Sequence, residues 1–248
     1  MKITSQVTFL IIVAFLNFLK PSNYEAQELT ETFTRIETAH GLPPGNVNDI
    51  IQDSLGFIWL ATESGLARYD GYNFKIFRNE KKDNFSLSNN NVFTLLKDKN
   101  NIIWVGTLGG GINKFNILTG KFQRFSHDDK DPSSLSDDRV FKIHQDKSDR
   151  IWVSTLGGGL NLFNKKTEKF IHFKHNPTDS TTISSNMVSA IFEDSDGRFW
   201  VGTYNGGLNL FDVENKKFSH LKSIDNSKYS INHDQIMDII EYKNGELL

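Results

Sequence analysis

The chain has 248 residues, with 28 Lys and Arg against 30 Asp and Glu, a formal net charge of −2, 20 Phe, 5 Pro and no Cys. The near-balanced charge lacks the basic excess that marks a binder of phosphate backbone, so nucleic acid is not an expected partner. The missing thiols exclude disulfides, cysteine nucleophiles, cysteine-ligated metals and the lipoprotein route to a membrane.

Residues 1–26 differ in kind from the rest of the chain. Lys2 precedes an apolar run over 7–19, interrupted by Thr8 and Asn17, which has the length of a signal-peptide core and is short for a membrane span. The segment reads as a signal peptide or an N-terminal anchor, and the remainder as exported. Ala26 suits the position before a cleavage point, whereas the bulky Tyr24 stands where a small side chain is favoured.

From residue 32 onward a repeat dominates. Trp59, Trp104, Trp152 and Trp200 hold the same place in GFIWLATESGLARYD, NIIWVGTLGGGINKFN, RIWVSTLGGGLNLFN and RFWVGTYNGGLNLFD, at intervals of 45, 48 and 48 residues. A period in the forties with four strand-like pieces per copy is the signature of a β-propeller blade, so the predicted class is all-β. In chain order the predicted elements are a lone outer strand at 32–36, blades over 46–78, 91–126, 139–174 and 187–222, and a partial fifth blade at 235–248. The lone strand is read from FTRI before GLPPGNV, which matches the ends of the later copies, such as FKIF with SLSNNNV and FQRF with SLSDDRV. A strand so placed completes the last blade of a closed ring.

In the third copy strands are predicted at 140–145, 150–155, 160–163 and 169–173, separated by DKSD, LGGG and NKKTE, which are turn chemistries. Each Trp is read as a wedge between neighbouring blades. The fifth copy contains a first strand at 236–241 and the turn KNGE, without a glycine turn or outer strands. The chain is therefore expected to be a piece of a longer reading frame.

Several local patterns suggest chemistry and are better explained by structure. His172 and His175 lie on an outer strand and its exit loop, where their rings match poorly for a shared metal. The stretch 193–197, EDSDG, resembles a calcium-loop fragment, but the other copies read KDKNN and QDKSD at that place, so a solvated hairpin turn is expected. LGGG leads from strand to strand rather than to a helix N-terminus, which a phosphate cradle requires. A sialidase-like Asp-box spacing is not kept. No catalytic residue, metal or cofactor is assigned.

Positions that vary between copies are the candidates for binding. Asn46, Asn91, Arg139, Met187 and Gln235 precede the inner strands, and Glu63, Leu108, Leu156, Tyr204 and Asn205 follow the repeated Thr62, Thr107, Thr155 and Thr203. In a propeller both loop sets emerge on one face around the central channel. Of these, Asn46, Glu63, Asn91, Arg139, Met187, Tyr204, Asn205 and Gln235 are the predicted ligand contacts, because amides, a guanidinium, a carboxylate and a phenol together suit a hydroxyl-rich ligand.

The string D-x-x-G-x-[IL]-W-[IV]-G-T, then G-G-[IL]-N-x-[FY] and a later SLS-x-x-x-V, resembles the two-component regulator propeller repeat over residues 32–248. Departures are Ala61 and Ser154 in place of a strand Gly, Asn101 and Asp149 in place of the turn Gly, and a first blade three residues short. The resemblance implies a seven-bladed propeller in the periplasmic sensor of a hybrid histidine kinase from a polysaccharide-degrading bacterium. It also implies a second propeller, a β-sandwich, a membrane helix anchoring the parent in the inner membrane, a kinase core and, in many cases, receiver and DNA-binding domains. The expected function is a sensing module for a small molecule or glycan fragment, coupled by phosphorelay to a kinase region of the same polypeptide, with a homodimer as an option. The alternative is a secreted propeller scaffold for protein–protein interaction without a kinase.

Overall fold

The structure, a computed structural model, describes residues 34–223, 230–243 and 245–248. The chain divides into units 1–35 and 36–248, and the second holds every strand among the described residues. The signal-peptide reading of 1–26 lies outside the described residues.

Sixteen strands form four sheets. They are β1 Val47–Gln52, β2 Ile58–Thr62, β3 Gly65–Tyr69 and β4 Phe74–Phe77; β5 Val92–Lys97, β6 Ile103–Thr107, β7 Ile112–Asn116 and β8 Lys121–Phe125; β9 Val140–Gln145, β10 Ile151–Thr155, β11 Gly159–Asn164 and β12 Lys169–Phe173; β13 Val188–Glu193, β14 Phe199–Thr203, β15 Leu208–Asp212 and β16 Lys217–Leu221. Each sheet is an antiparallel meander in chain order. The innermost strands β1, β5, β9 and β13 stand side by side, and each carries a β-bulge near its start or against the end of its partner. The all-β propeller expectation and its four complete blades are therefore observed.

The first interval is shorter because blade 1 has one tighter turn and a shorter outer hairpin. Thr62 is three residues from Gly65 where Thr107 is four from Gly111, and the β3–β4 hairpin closes at Tyr69–Phe74 where β7–β8 runs one pair further, to Asn116–Lys121.

Blades 2, 3 and 4 are covered on both sides, which explains their sequence, whereas the inner strand of blade 1 is largely exposed. All five residues of β6, β10 and β14 are buried, so these strands read as continuous apolar runs rather than alternating ones. Trp59 meets Phe115 of blade 2 at 5.3 Å between ring centroids, Trp104 meets Phe163 of blade 3 at 5.1 Å, and Trp152 meets Phe211 of blade 4 at 5.7 Å. Trp200 packs with Ile239. Burying a ring of this size removes about 150–250 Å² from water, worth roughly 4–6 kcal/mol per interface.

The ring nitrogen of every Trp donates to a buried Asp in the turn after the inner strand. Trp59 Nε1 lies 2.8 Å from Asp53, Trp104 Nε1 3.0 Å from Asp98, Trp152 Nε1 2.8 Å from Asp146 and Trp200 Nε1 2.7 Å from Asp194. Burial alone would raise the carboxyls of Asp146 and Asp194, but the Trp hydrogen bonds and those of Arg150 and Arg198 outweigh it and hold both below the usual carboxylate range. The turn at 193–197 therefore departs from the solvated reading at Asp194, which is fully buried, while Ser195, Asp196 and Gly197 are exposed. The tight turn needs a left-handed residue, φ 88° at Gly56 and 83° at Gly197; Asn101 at 60° and Asp149 at 67° fill the same place, as the two side chains best suited to it can.

Neighbouring blades are tied by backbone and side-chain contacts. The loop that leaves one blade runs along the outer strand of the next, so that Phe122 N donates to Phe85 O, Phe170 N to Ser133 O and Phe218 N to Thr181 O, each at 2.8 Å. At the inner-strand ends, Gln145 accepts from Lys99 N at 3.0 Å, Glu193 from Lys147 N at 2.6 Å and Glu241 from Ser195 N at 2.9 Å. Within the loops, His172 Nε2 lies 2.7 Å from Ser134 O and His175 Nδ1 lies 2.8 Å from Ile183 O. The two rings thus serve different carbonyls.

At the chain ends the regularity fades. Of the lone strand expected at 32–36, residues 32 and 33 lie outside the described residues and 34–36 are not in a strand. In the fifth copy 236–240 are not in a strand either, yet they occupy the inner-strand place: Ile236 N donates to Thr203 O at 3.0 Å, and Glu241 pairs with Leu247 in an antiparallel bridge.

Candidate functional site

The residues that vary between copies lie where the inner strands begin and where the second strand of each blade ends. The end of that strand is fixed by a buried Thr. Thr62, Thr107, Thr155 and Thr203 donate from Oγ1 to the carbonyls of Gly65, Gly111, Gly159 and Gly207 at 2.7–3.1 Å, and accept a turn N–H in return. This pins the turn and presents the residue after the Thr.

Backbone pairing then gathers these residues into a belt. Leu108 N donates to Asn91 O at 2.9 Å, Leu156 N to Arg139 O at 3.0 Å, and Tyr204 N to Met187 O at 2.9 Å. Bridges Leu108–Arg139 and Leu156–Met187 link one blade to the next. Asn91, Arg139, Met187 and Tyr204 therefore share one continuous line. Asn46 and Glu63 occupy the equivalent place in blade 1, joined by Asn46 Nδ2 donating to Glu63 Oε1 at 2.9 Å. Asn205 accepts from Ser185 Oγ at 2.6 Å. Gln235 precedes the fifth copy, exposed, with its N–H on His233.

Arg139 has a partner that sequence comparison passed over. Asp137 binds its Nε at 3.0 Å, its Nη2 at 2.6 Å and its backbone N–H at 2.8 Å. Burial alone would raise the Asp137 carboxyl, but the Arg139 hydrogen bonds hold it below the usual range, and Asp137 in turn raises the guanidinium. Gly157, at φ 149°, leaves room for the pair, since a Cβ there would lie 2.8 Å from Arg139 Nη2 and 2.9 Å from Asp137 Oδ2. The contrast of SLSDDRV with SLSNNNV was the available signal for this pair. Tyr204 is exposed and Asn91 Oδ1 is buried without a partner. The belt thus offers a fixed cationic fork, a carboxylate, amides and an open ring, a set able to meet both hydroxyls and an apolar ring face.

Among the described residues no group of three or more His, Asp or Glu side chains is arranged to hold a metal ion, and no helix is long and apolar enough to cross a membrane.

The four Trp-wedged sheets and the belt define a β-propeller repeat protein. The two component regulator propeller repeat matches this chain four times, at residues 41–64, 86–109, 134–157 and 182–205, each match running from a leader loop to the turn after the Thr. A histidine kinase, P4, of Formosa agariphila is 39% identical over 64 residues, a match spanning 26% of this chain and 5% of that protein. A solved domain described as the extracellular part of a hybrid two component system of B. thetaiotaomicron is 21% identical, with a TM-score of 0.58 over 86% of this chain and 40% of that one. The fold recurs in PorZ, a surface component of the type-IX secretion system of Porphyromonas gingivalis, at 15% identity and a TM-score of 0.59 over 79% of this chain and 30% of that one. The chain therefore spans well under two thirds of each of these relatives. At such identities the solved structures bear on the fold alone.

Proposed function

We propose that the propeller is the exported, periplasmic input module of a hybrid sensor histidine kinase, and that it binds a glycan fragment on the Arg139–Tyr204 belt. The family match carries this reading, supported by the stretch shared with a histidine kinase. Its partners are then the ligand and a kinase region in the same polypeptide, with any phosphorelay residing in that region. The belt residues fit a saccharide, which presents donors, acceptors and an apolar ring face at once.

Calorimetric titration with neutral and acidic oligosaccharides tests the proposal, with the Arg139→Ala/Tyr204→Ala double variant as comparison. Losing a hydrogen bond to a charged group costs roughly 1.5–3 kcal/mol, so affinity is expected to fall about tenfold to a hundredfold. Unchanged affinity in the double variant would remove the belt from the site.

A further inference from the structure

We propose that blade 2 carries a second binding site, on its outer strands, for a small carboxylate bearing a ring face, such as a uronic acid. The site lies beside the β7–β8 turn, at the other end of the sheet from the belt, and stands whether or not the belt binds a glycan.

A cavity of about 660 Å³ opens there, within the range of ligand pockets, and its lining joins apolar side chains to a few convergent polar ones. Two residues that make it differ from their counterparts in blades 3 and 4. Phe85 stands where those copies have Ser133 and Thr181, and Lys114 where they have Leu162 and Leu210, while the first copy also has a cation, Arg68, at the Lys114 place. Phe85 is 56% exposed although its carbonyl is pinned by Phe122 N, so a large apolar ring is held open to solvent by its own backbone.

A lysine of β8 faces that ring. In blade 3, Lys169 is paired with Asp131. Its counterpart Lys121 lies 4.6 Å from the centroid of the Phe85 ring, and no carboxylate pairs with it among the described residues. Lys114, on the same cavity, is only loosely matched by Glu168 at 3.8 Å, and Gln123 also binds that carboxylate, at 2.7 Å. Arg124 adds positive charge while its own donors are taken by Ser86, Asp83 and Leu87. One ammonium group thus stands over an exposed aromatic face, and a second lines the same cavity. An anion with an apolar ring face satisfies both, by an ion pair with Lys121 and Lys114 and by stacking on Phe85. Asn84 and Asn116 supply amides for its hydroxyls.

The test is calorimetric titration of the protein with sodium glucuronate and, as the neutral control, glucose. Saturable binding of glucuronate is expected, with glucose about tenfold weaker or more. Phe85→Ser, which installs the blade 3 residue, and Lys121→Met should each weaken glucuronate by about tenfold, with an unchanged melt. Equal binding of the two sugars, no binding of either, or undiminished binding in both blade 2 variants would overturn the assignment.

Discussion

Removing one carboxylate from the array tests how the Trp wedges are held. Asp146 is 1% exposed and accepts from Trp152 Nε1 at 2.8 Å, Arg150 N at 2.8 Å and Arg150 Nε at 2.5 Å. Asp146→Ala leaves the indole N–H and the Arg150 N–H without their acceptor, while the half-exposed guanidinium can turn to water. At about 1–3 kcal/mol for each of the two orphaned donors, the loss is about 2–6 kcal/mol. For a domain of this size, at about 2–4 °C per kcal/mol, that is a fall in Tm of about 4–24 °C. Urea and thermal unfolding of the variant measure it, with the exposed Ser148→Ala expected within about 0.5 kcal/mol of the parent. A double-mutant cycle with Trp152→Phe isolates the ring N–H, and a coupling of about 1–3 kcal/mol is expected. The native Asp146 carboxyl titrates below its ordinary 3.8. Its contribution is therefore complete above pH 3.8 and fades as the pH falls through the lower native value, a slope the variant should lose. Additive single mutants, or an Asp146→Ala melt matching that of Ser148→Ala, would refute the clamp.

Three further outcomes are expected. His144 has a buried, unpartnered Nε2 beside Phe199, and burial pushes its pKa below 6.5 against the pull of Glu193 and Asp146, with Lys142 adding to the depression. Stability should be complete above pH 6.5 and decline as the pH falls, and His144→Phe, which copies Phe192 of blade 4, should flatten that decline in pH-dependent melts. Ser154 Oγ is buried without a partner where blade 1 has Ala61, so Ser154→Ala should raise stability by about 1 kcal/mol in urea unfolding. Gly157→Ala should destabilise by about 1–3 kcal/mol, because it adds a clash with Arg139 and Asp137 to a left-handed strain, and a neutral result would mean that the turn relaxes freely.

The strands were legible because each copy repeats the same burial. In the third copy the predicted 140–145 and 169–173 coincide with β9 and β12, and the middle strands differ only at Arg150, which stays in the turn to bind Asp146, and at Gly159 and Asn164, which join β11. What escaped was contact between residues far apart in the repeat. Asp146 looked like turn chemistry because Asp is common in turns, although an Asp six residues before every Trp was visible. Asn161 is fully buried, bonded to Val153 O at 3.2 Å and Ser136 N at 3.2 Å; the latter partner lies in the leader loop, 25 residues away, which no local pattern reveals. In blade 1 the same pair reads Ala67 and Pro43, so the amide and the N–H it would accept are lost together. Of the belt, position was readable from the repeat, whereas the Asp137 pairing depended on a loop conformation shaped by Gly157.

The loops laid along β8, β12 and β16 have a bearing on how this molecule meets others. An outer strand ordinarily presents a row of free amides and carbonyls that another chain can extend into a longer sheet. Here Phe85, Ser133 and Thr181 already occupy part of that row. A foreign strand would have to peel the loop away first, and with it the Leu87, Leu135 or Ile183 side chain buried behind it. Association at these three rims is therefore steered toward side-chain packing between surfaces and away from sheet extension. It should respond to apolar substitution and salt, and resist the runaway growth that open sheet edges permit.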